Sequence, residues 1–238
     1  MMPDATAAIE VRRLSKTLGR RTVLSGVDFQ VAAGQSVALT GANGAGKTTL
    51  LRCLASILRP TAGLVRWFGR PAAGNPEGRR LIGWVAHESL LYPQLTLREN
   101  LAFAARMCDV AQPWQRADEL LAGTGLTPHA ARLPAAISRG MRQRLAVLRA
   151  LVHSPRILLL DEPFSGLDAE GTAWLGQLLD ELRAAGRTLC FATHDEAAVG
   201  RLADRVLEVR RGRVVEIEPG AANAADAAPG TWPAARAA

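Results

Sequence analysis

Short runs rich in apolar and β-branched residues occupy Ile9–Leu14, Thr22–Val31 and Gln35–Thr40, punctuated by Gly26 and Gly34, and predict strands. Behind them Leu50, Leu51, Leu54, Ile57 and Leu58 recur at helical spacing after a glycine-rich entry, and Pro60 marks the expected end of that helix. Extended runs come next at Gly63–Phe68 and Leu81–Val85. The periodicity of Leu97–Val110, Trp114–Gly123 and Ser138–His153 is helical, so the middle third reads as a helical block. From Ile157 the texture alternates: strand Ile157–Leu160, helix Ala169–Ala185, strand Thr188–Thr193, helix Glu196–Ala203, then strands Arg205–Val209 and Arg213–Ile217. Strands alternating with helices predict a mostly parallel sheet covered on both faces. From about Glu218 the chain is Ala, Pro and Gly with little else, which predicts a flexible tail.

Composition narrows the function classes. With 238 residues, 48% hydrophobic and 21% charged, the chain can fill one large core or two small ones, and disorder is excluded as its main state. No run of apolar residues is long enough to span a bilayer, and Met1–Glu10 has no basic head followed by an apolar stretch. A cytoplasmic chain, free or held at a membrane by a partner, is therefore expected. Cys53, Cys108 and Cys190 are odd in number, far apart and without CxxC spacing, which predicts reduced packing thiols. The formal net charge of +7 admits nucleic acid, an anionic membrane or a solvated exterior. The basic residues are scattered, in pairs such as Arg12-Arg13 and Arg20-Arg21 with no longer block, which favours the solvated exterior. Of the 29 basic residues only Lys16 and Lys47 are lysine, so Lys47 has been kept in an arginine-rich chain.

Lys47 lies in Gly41-Ala42-Asn43-Gly44-Ala45-Gly46-Lys47-Thr48, which fits the phosphate-binding pattern GxxxxGK[ST] after a strand and before a helix. Glycines let Gly41, Asn43, Gly44, Ala45 and Gly46 curl so that successive N–H groups point at one spot, and the helix that starts near Lys47, Thr48 and Thr49 adds a partial positive charge. A compact ammonium suits the terminal phosphates better than a planar guanidinium, and the Thr48 hydroxyl is a ligand for Mg²⁺. Further on, the apolar run Ile157–Leu160 delivers Asp161 and Glu162 at its end, where ligands bind in open α/β sheets. Asp161 is expected to hold Mg²⁺, directly or through water, and Glu162 to act as the general base for an attacking water. Pro163 stops the strand and frees both side chains from strict alternation.

Together with Ser138-Arg139-Gly140-Met141, Ser165-Gly166-Leu167-Asp168 and Ala192-Thr193-His194-Asp195, these residues make the chain resemble the nucleotide-binding subunit of ABC (ATP-binding cassette) transporters over about residues 9 to 217. The resemblance implies an α/β fold of the P-loop NTPase (RecA-like) type: a parallel sheet core, an N-terminal antiparallel β subdomain and an inserted α-helical subdomain. The chain is then one ATPase domain, with residues 1–87 and 154–217 as catalytic core and β subdomain, 88–153 as the helical subdomain, and 218–238 as tail. It implies ATP and Mg²⁺, a homodimer or a pairing with a second ABC subunit stacked head to tail, and an integral-membrane permease at the cytoplasmic face of the membrane. Ser138 and Gly140 would meet the γ-phosphate held by the other copy. Asp168 would sit at the dimer seam, and His194 would touch the γ-phosphate and position water with Glu162. Ser138 and Asp168 are equally good helix N-caps.

Three departures from the family pattern stand out. Arg139 and Met141 replace a glycine and a glutamine, so Met141 cannot close a capping box with Ser138, and Arg139 either reaches the opposite phosphates or faces solvent. The usual loop glutamine is replaced at His87, a poor ligand for a hard cation, which leaves Glu88 or a water for the metal, or leaves both residues to the membrane partner. Leu18 stands where relatives carry an aromatic residue against adenine, so it covers the base without stacking. The runs His87-Glu88, Leu91-Tyr92-Pro93 and Ser138–Arg144 are similar to ATPases of haem export in cytochrome c maturation, with drug or polysaccharide exporters close in texture; an exporter is the expected type. A non-transport relative acting on nucleic acid or ribosomes is the alternative. Only Ser89–Ile137 separates Glu88 from Ser138, too little for a long coiled-coil insertion, so no nucleic-acid partner is expected.

Overall fold

The computed structural model describes residues 7–218. The chain begins with an antiparallel hairpin, β1 (Ala7–Leu18) and β2 (Arg21–Ala32), and continues through β3 (Ser36–Thr40) into α1 (Lys47–Leu54). Then come β4 (Ala62–Trp67), β5 (Arg70–Pro71), β6 (Ile82–Val85) and three helices, α2 (Leu97–Met107), α3 (Pro113–Leu121) and α4 (Arg139–Leu151). The last third runs β7 (Ile157–Asp161), α5 (Ala169–Ala184), β8 (Thr188–Ala192), α6 (Glu196–Leu202), β9 (Arg205–Arg210) and β10 (Arg213–Ile217). Among these residues no helix is long and apolar enough to cross a membrane. The tail expected after Glu218 lies outside the described residues.

Two sheets result. One has the order β2-β1-β4-β5 and is antiparallel; the other has the order β10-β9-β3-β8-β7-β6, with every pair parallel except β9 with β10. All five residues of β3, β7 and β8 are buried, as parallel strands covered on both faces require. Alternation along them separates two cores. Leu39, Leu159 and Cys190 face α1 and the antiparallel sheet, while Leu158, Leu160 and Phe191 face Leu175, Leu179 and Leu202 of α5 and α6. A third apolar cluster, including Leu97, Leu101, Leu121, Leu145 and Leu148, holds α2, α3 and α4 together.

The register matters for function. Leu39 pairs with Ala192, Ala192 with Asp161, and Leu160 with Val85, so β3, β8, β7 and β6 end level with one another. The next segments of chain, beginning at Gly41, Thr193, Glu162 and Ala86, therefore emerge along one edge.

α1 is shorter than its apolar periodicity predicts. It stops at Leu54, Ser56 turns into the left-handed region at φ 55°, and Ile57 is 57% exposed. The stop is set from a distance: the buried indole of Trp67 donates to the Leu54 carbonyl at 2.9 Å, and the Ile57 and Leu58 amides both turn back to the Arg52 carbonyl. A second buried polar side chain braces a loop. Asn100, fully buried on α2, donates to the carbonyls of Tyr92, Leu95 and Thr96 and accepts from the Tyr92 amide, while Thr96 and Glu99 close a reciprocal capping box. All three cysteines are free thiols. Burial pushes Cys53 up to about 11 and Cys190 up to about 12, whereas Cys108 at the end of α2 is only half-buried. Much of the basic exterior is paired, for example Arg98 with Asp118 at 2.6 Å and Arg205 with Glu216 at 2.7 Å.

The packing is testable at two places. Gly41 has φ +123°, and a Cβ there would lie 2.3 Å from the Val209 carbonyl oxygen of β9; Gly44 has φ +75° with open space around it. Gly41→Ala should therefore lower stability by about 3 kcal/mol or more, strain plus collision, and Gly44→Ala by only about 1 kcal/mol, measured by urea unfolding. Equal losses would contradict the geometry. Separately, His153 Nε2 donates to the Ile82 carbonyl at 3.0 Å while Nδ1 is buried without a partner. Burial holds this imidazole below its ordinary pKa, partly offset by the Ile82 bond. The folded pKa is thus below the unfolded value of about 6.5, so the stability from His153 is complete above that pH and is lost as pH falls toward the folded pKa. Wild type should lose more melting temperature between about pH 7.5 and 5.5 than His153→Gln, which keeps a donor for Ile82; identical losses would refute the assignment.

Candidate functional site

At the level edge of the large sheet the glycine loop is built as its sequence predicts. Gly41, Gly44 and Gly46 take φ of +123°, +75° and +116°, values open to glycine and strained for other residues. Gly46 is the N-cap of α1 and offers no side chain, so the first-turn amides keep no side-chain acceptor and face outward as donors for an anion. Ala45 closes back on Ala42 at 3.1 Å, and a Cβ on Gly46 would meet Val23 and Leu24, so the loop is seated against β2.

Lys47 is only 8% exposed. Its Nζ donates to the carbonyls of Gly41 at 2.6 Å and Ala42 at 3.3 Å, and lies 3.1 Å from His194 Nε2. Burial lowers its pKa, opposed by the charges of Glu162 and Asp161. The same His194 nitrogen is 3.3 Å from Glu162 Oε1. One ring nitrogen cannot accept from Lys47 and donate to Glu162 at once, so the imidazole sits between an ammonium and a carboxylate with two exclusive hydrogen-bond states. An anion that draws Lys47 away frees Nε2 for the other.

Thr48 donates from Oγ1 to Asp161 Oδ1 at 3.1 Å. Asp161 is 1% exposed, and its Oδ2 is buried with no partner. An orphaned carboxylate oxygen beside a hydroxyl suits a hard cation, and no group of three or more His, Cys, Asp or Glu side chains that could hold a metal occurs among the described residues. Two protein oxygens with ligand phosphates completing the shell is the arrangement Mg²⁺ takes. Glu162 sits at φ +50°, outside strand geometry, with its amide bonded to the Ala192 carbonyl at 2.9 Å. Asp161 already shares the α1 face of β7 with Leu159, and that kink, more than Pro163 alone, breaks the alternation after it so that Glu162 reaches the same cavity.

Lys47, Thr48, Thr49, Asp161, Glu162 and His87 line one cavity of about 400 Å³ together with Asn43, Gly44, Gly46, Val23 and Arg21. Asn43, Gly44 and Ala45 also border a neighbouring cavity of about 830 Å³ against β2 and the β9–β10 hairpin. His87 is therefore the residue of its pair that reaches the cavity; Glu88 is exposed and borders neither. Leu18, 45% exposed at the end of β1, also borders neither.

Ser138 and Gly140 are not part of these walls. Ser138 caps α4 by accepting from the Met141 amide at 3.2 Å, without the return bond seen at Thr96. Arg139 lies over its own chain's Gly166, donates to Ser165 Oγ at 3.4 Å and remains exposed, so within one chain it faces solvent and does not reach a phosphate of the cavity. Asp168 caps α5 through the Gly171 amide at 2.8 Å. Gln143, buried on α4, donates to the Pro163 carbonyl at 3.1 Å and ties that helix to the segment after Glu162. Its signal in the sequence is only a polar residue on an apolar helical face. Arg21 is hidden in a surface-like Arg20-Arg21 pair.

Comparison with known proteins agrees with this architecture. Residues 24–165 match the family profile described as ABC transporter. The chain is 41% identical over 217 residues to the Fe(3+) ions import ATP-binding protein FbpC 1 of Rhodococcus jostii (strain RHA1), covering 89% of this chain and 62% of that protein. It is 39% identical over 218 residues to the sulfate/thiosulfate import ATP-binding protein CysA of Mycobacterium tuberculosis (strain ATCC 25618 / H37Rv), covering 89% and 61%. The chain thus spans about three fifths of the length of these curated relatives. Among solved structures, a dimeric ATP-binding cassette in a post-hydrolysis state bound to ADP and Pi superimposes with TM-score 0.81 at 27% identity, covering 89% of this chain and 98% of that one. An ATP-binding subunit of an ABC transporter gives 0.81 at 32%, covering 88% and 89%. Both relatives are named as import ATP-binding proteins, and the resemblance to haem exporters finds no support among them. The loop, the acidic strand end and the matched profile lead to one conclusion: this chain belongs to the ABC transporter family, with the P-loop NTPase fold.

Proposed function

We propose that the chain is the ATP-hydrolysing subunit of a membrane transporter, one ATPase domain with its helical subdomain inserted at 88–153. The observation that carries this reading is the convergence, at the ends of neighbouring parallel strands, of a buried lysine, an orphaned aspartate oxygen, and a Glu162–His194 pair around a glycine loop. The loop amides and Lys47 bind the phosphates. Thr48 and Asp161 would hold Mg²⁺, whose chemistry is to neutralise charge on the phosphate oxygens. Glu162 accepts a proton from water as that oxygen bonds to the γ-phosphorus and the bond to the β–γ bridging oxygen breaks, releasing ADP and phosphate. His194 leaves Lys47 and orients the same γ-phosphate.

Ser138 and Gly140 lie away from this cavity, so their reading as phosphate contacts requires a second copy or a paired ABC subunit to present them, with Asp168 at the seam. The permease partner, and a place at the cytoplasmic face of the membrane, are inferred from the transporter relatives. Because those relatives are named for import, we read the direction as uptake, in place of the export expected from the signature residues. The cargo of the relatives, iron or sulfate, is theirs.

Lys47→Ala should abolish detectable ATP binding. Glu162→Gln should keep binding, lower steady-state turnover by about 100-fold or more, and elute as a dimer with ATP in gel filtration. Wild-type turnover in Glu162→Gln would remove it as the base.

A further inference from the structure

The phosphate cavity has a neighbour that the hydrolytic chemistry does not use. The second space, about 830 Å³, is bounded by the β9–β10 hairpin and shares four wall residues with the phosphate cavity: Arg21, Val23, Asn43 and Gly44. A nucleotide whose phosphates rest on the loop amides and Lys47 has room to extend past this shared wall. A nucleoside extended that way would enter the larger space.

Arg21 is the one cation in the shared wall. Among the described residues its side chain makes no hydrogen bond or ion pair, and it is exposed. Arg210, by contrast, is already paired with Glu208 at 2.7 Å. Leu18 stands across the hairpin from Arg21 and borders neither space, so it is not placed to cover a base. A guanidinium plane stacks on an aromatic ring, and purines are such rings.

Resting on the nucleotide-binding reading above, we propose that Arg21 is a nucleoside-binding residue that stacks its guanidinium on the base within the larger space. The contact is with the base and sugar, and the phosphates are left to Lys47 and the loop.

Calorimetric titration of the full-length chain with ADP and with inorganic pyrophosphate, both with Mg²⁺, separates the two halves of the ligand. Arg21→Ala should weaken ADP about fivefold, the size of a moderately exposed cation–π contact, and leave pyrophosphate within about twofold. Retained pyrophosphate binding also shows that the variant is folded. Equal weakening of both ligands would make Arg21 a phosphate contact and overturn the assignment, as would unchanged ADP affinity. Weaker ADP binding in Leu18→Ala with none in Arg21→Ala would return the base to Leu18. A wild-type chain that bound neither ligand would overturn the nucleotide reading itself, a different result from any of these.

Discussion

The site depends on the register of four parallel strands. β6, β7, β8 and β3 are neighbours in one sheet, and their pairing brings Val85, Leu160, Ala192 and Leu39 nearly level. Three of them, β3, β7 and β8, are buried along their whole length, so a slip by one residue would exchange the two cores and drive Leu159 and Cys190 into space shaped for Leu158 and Phe191. Hydrophobic packing thus fixes where the loops start. Polar chemistry is carried by residues at the strand ends and just beyond them, which is why side chains distant in sequence meet within hydrogen-bond range, Lys47 with His194 and Thr48 with Asp161.

That edge is held in a state of unsatisfied polarity. The α1 amides have no side-chain cap, Asp161 keeps a buried oxygen without a partner, and the Lys47 ammonium leans on two carbonyls of its own loop. Glu162 takes up a left-handed conformation that costs about 1–3 kcal/mol and places its carboxylate against His194 instead of back in the sheet. The unused donors and the orphaned oxygen are the groups that a polyphosphate with its cation would satisfy together, as proposed above. The same elements extend outward through Gln143 and Arg139, which join the first turns of α4 to the segment carrying Glu162.

How much can be read from sequence depends on the range of the interactions involved. The glycine loop, the Asp161-Glu162 strand end and the strands themselves are legible because their determinants lie within a few residues: φ demands, two-residue alternation and an adjacent helix start. The end of α1 is not, because Trp67 sets it through a bond to Leu54. Nor is the choice between His87 and Glu88, or between Leu18 and Arg21, since each turns on which side chain faces a cavity whose other walls come from β2, β7 and the glycine loop. Arg139 offers two destinations in the sequence, and within one chain it takes the solvent-facing one while resting against Gly166. The transport direction is of another kind: signature residues suggest export, while similarity along most of the chain points to relatives named for import.

The central claim is that a polyphosphate rests on the Gly44–Thr48 amides and draws Lys47 away from its own loop. A crystal structure of the full-length chain with Mg²⁺ and a non-hydrolysable ATP analogue tests it most directly. The account predicts phosphate oxygens on those amides, Lys47 Nζ moved from the Gly41 and Ala42 carbonyls onto the ligand, and the metal against Thr48 and Asp161. Phosphates bound anywhere else, with Lys47 still on its own carbonyls, would contradict it.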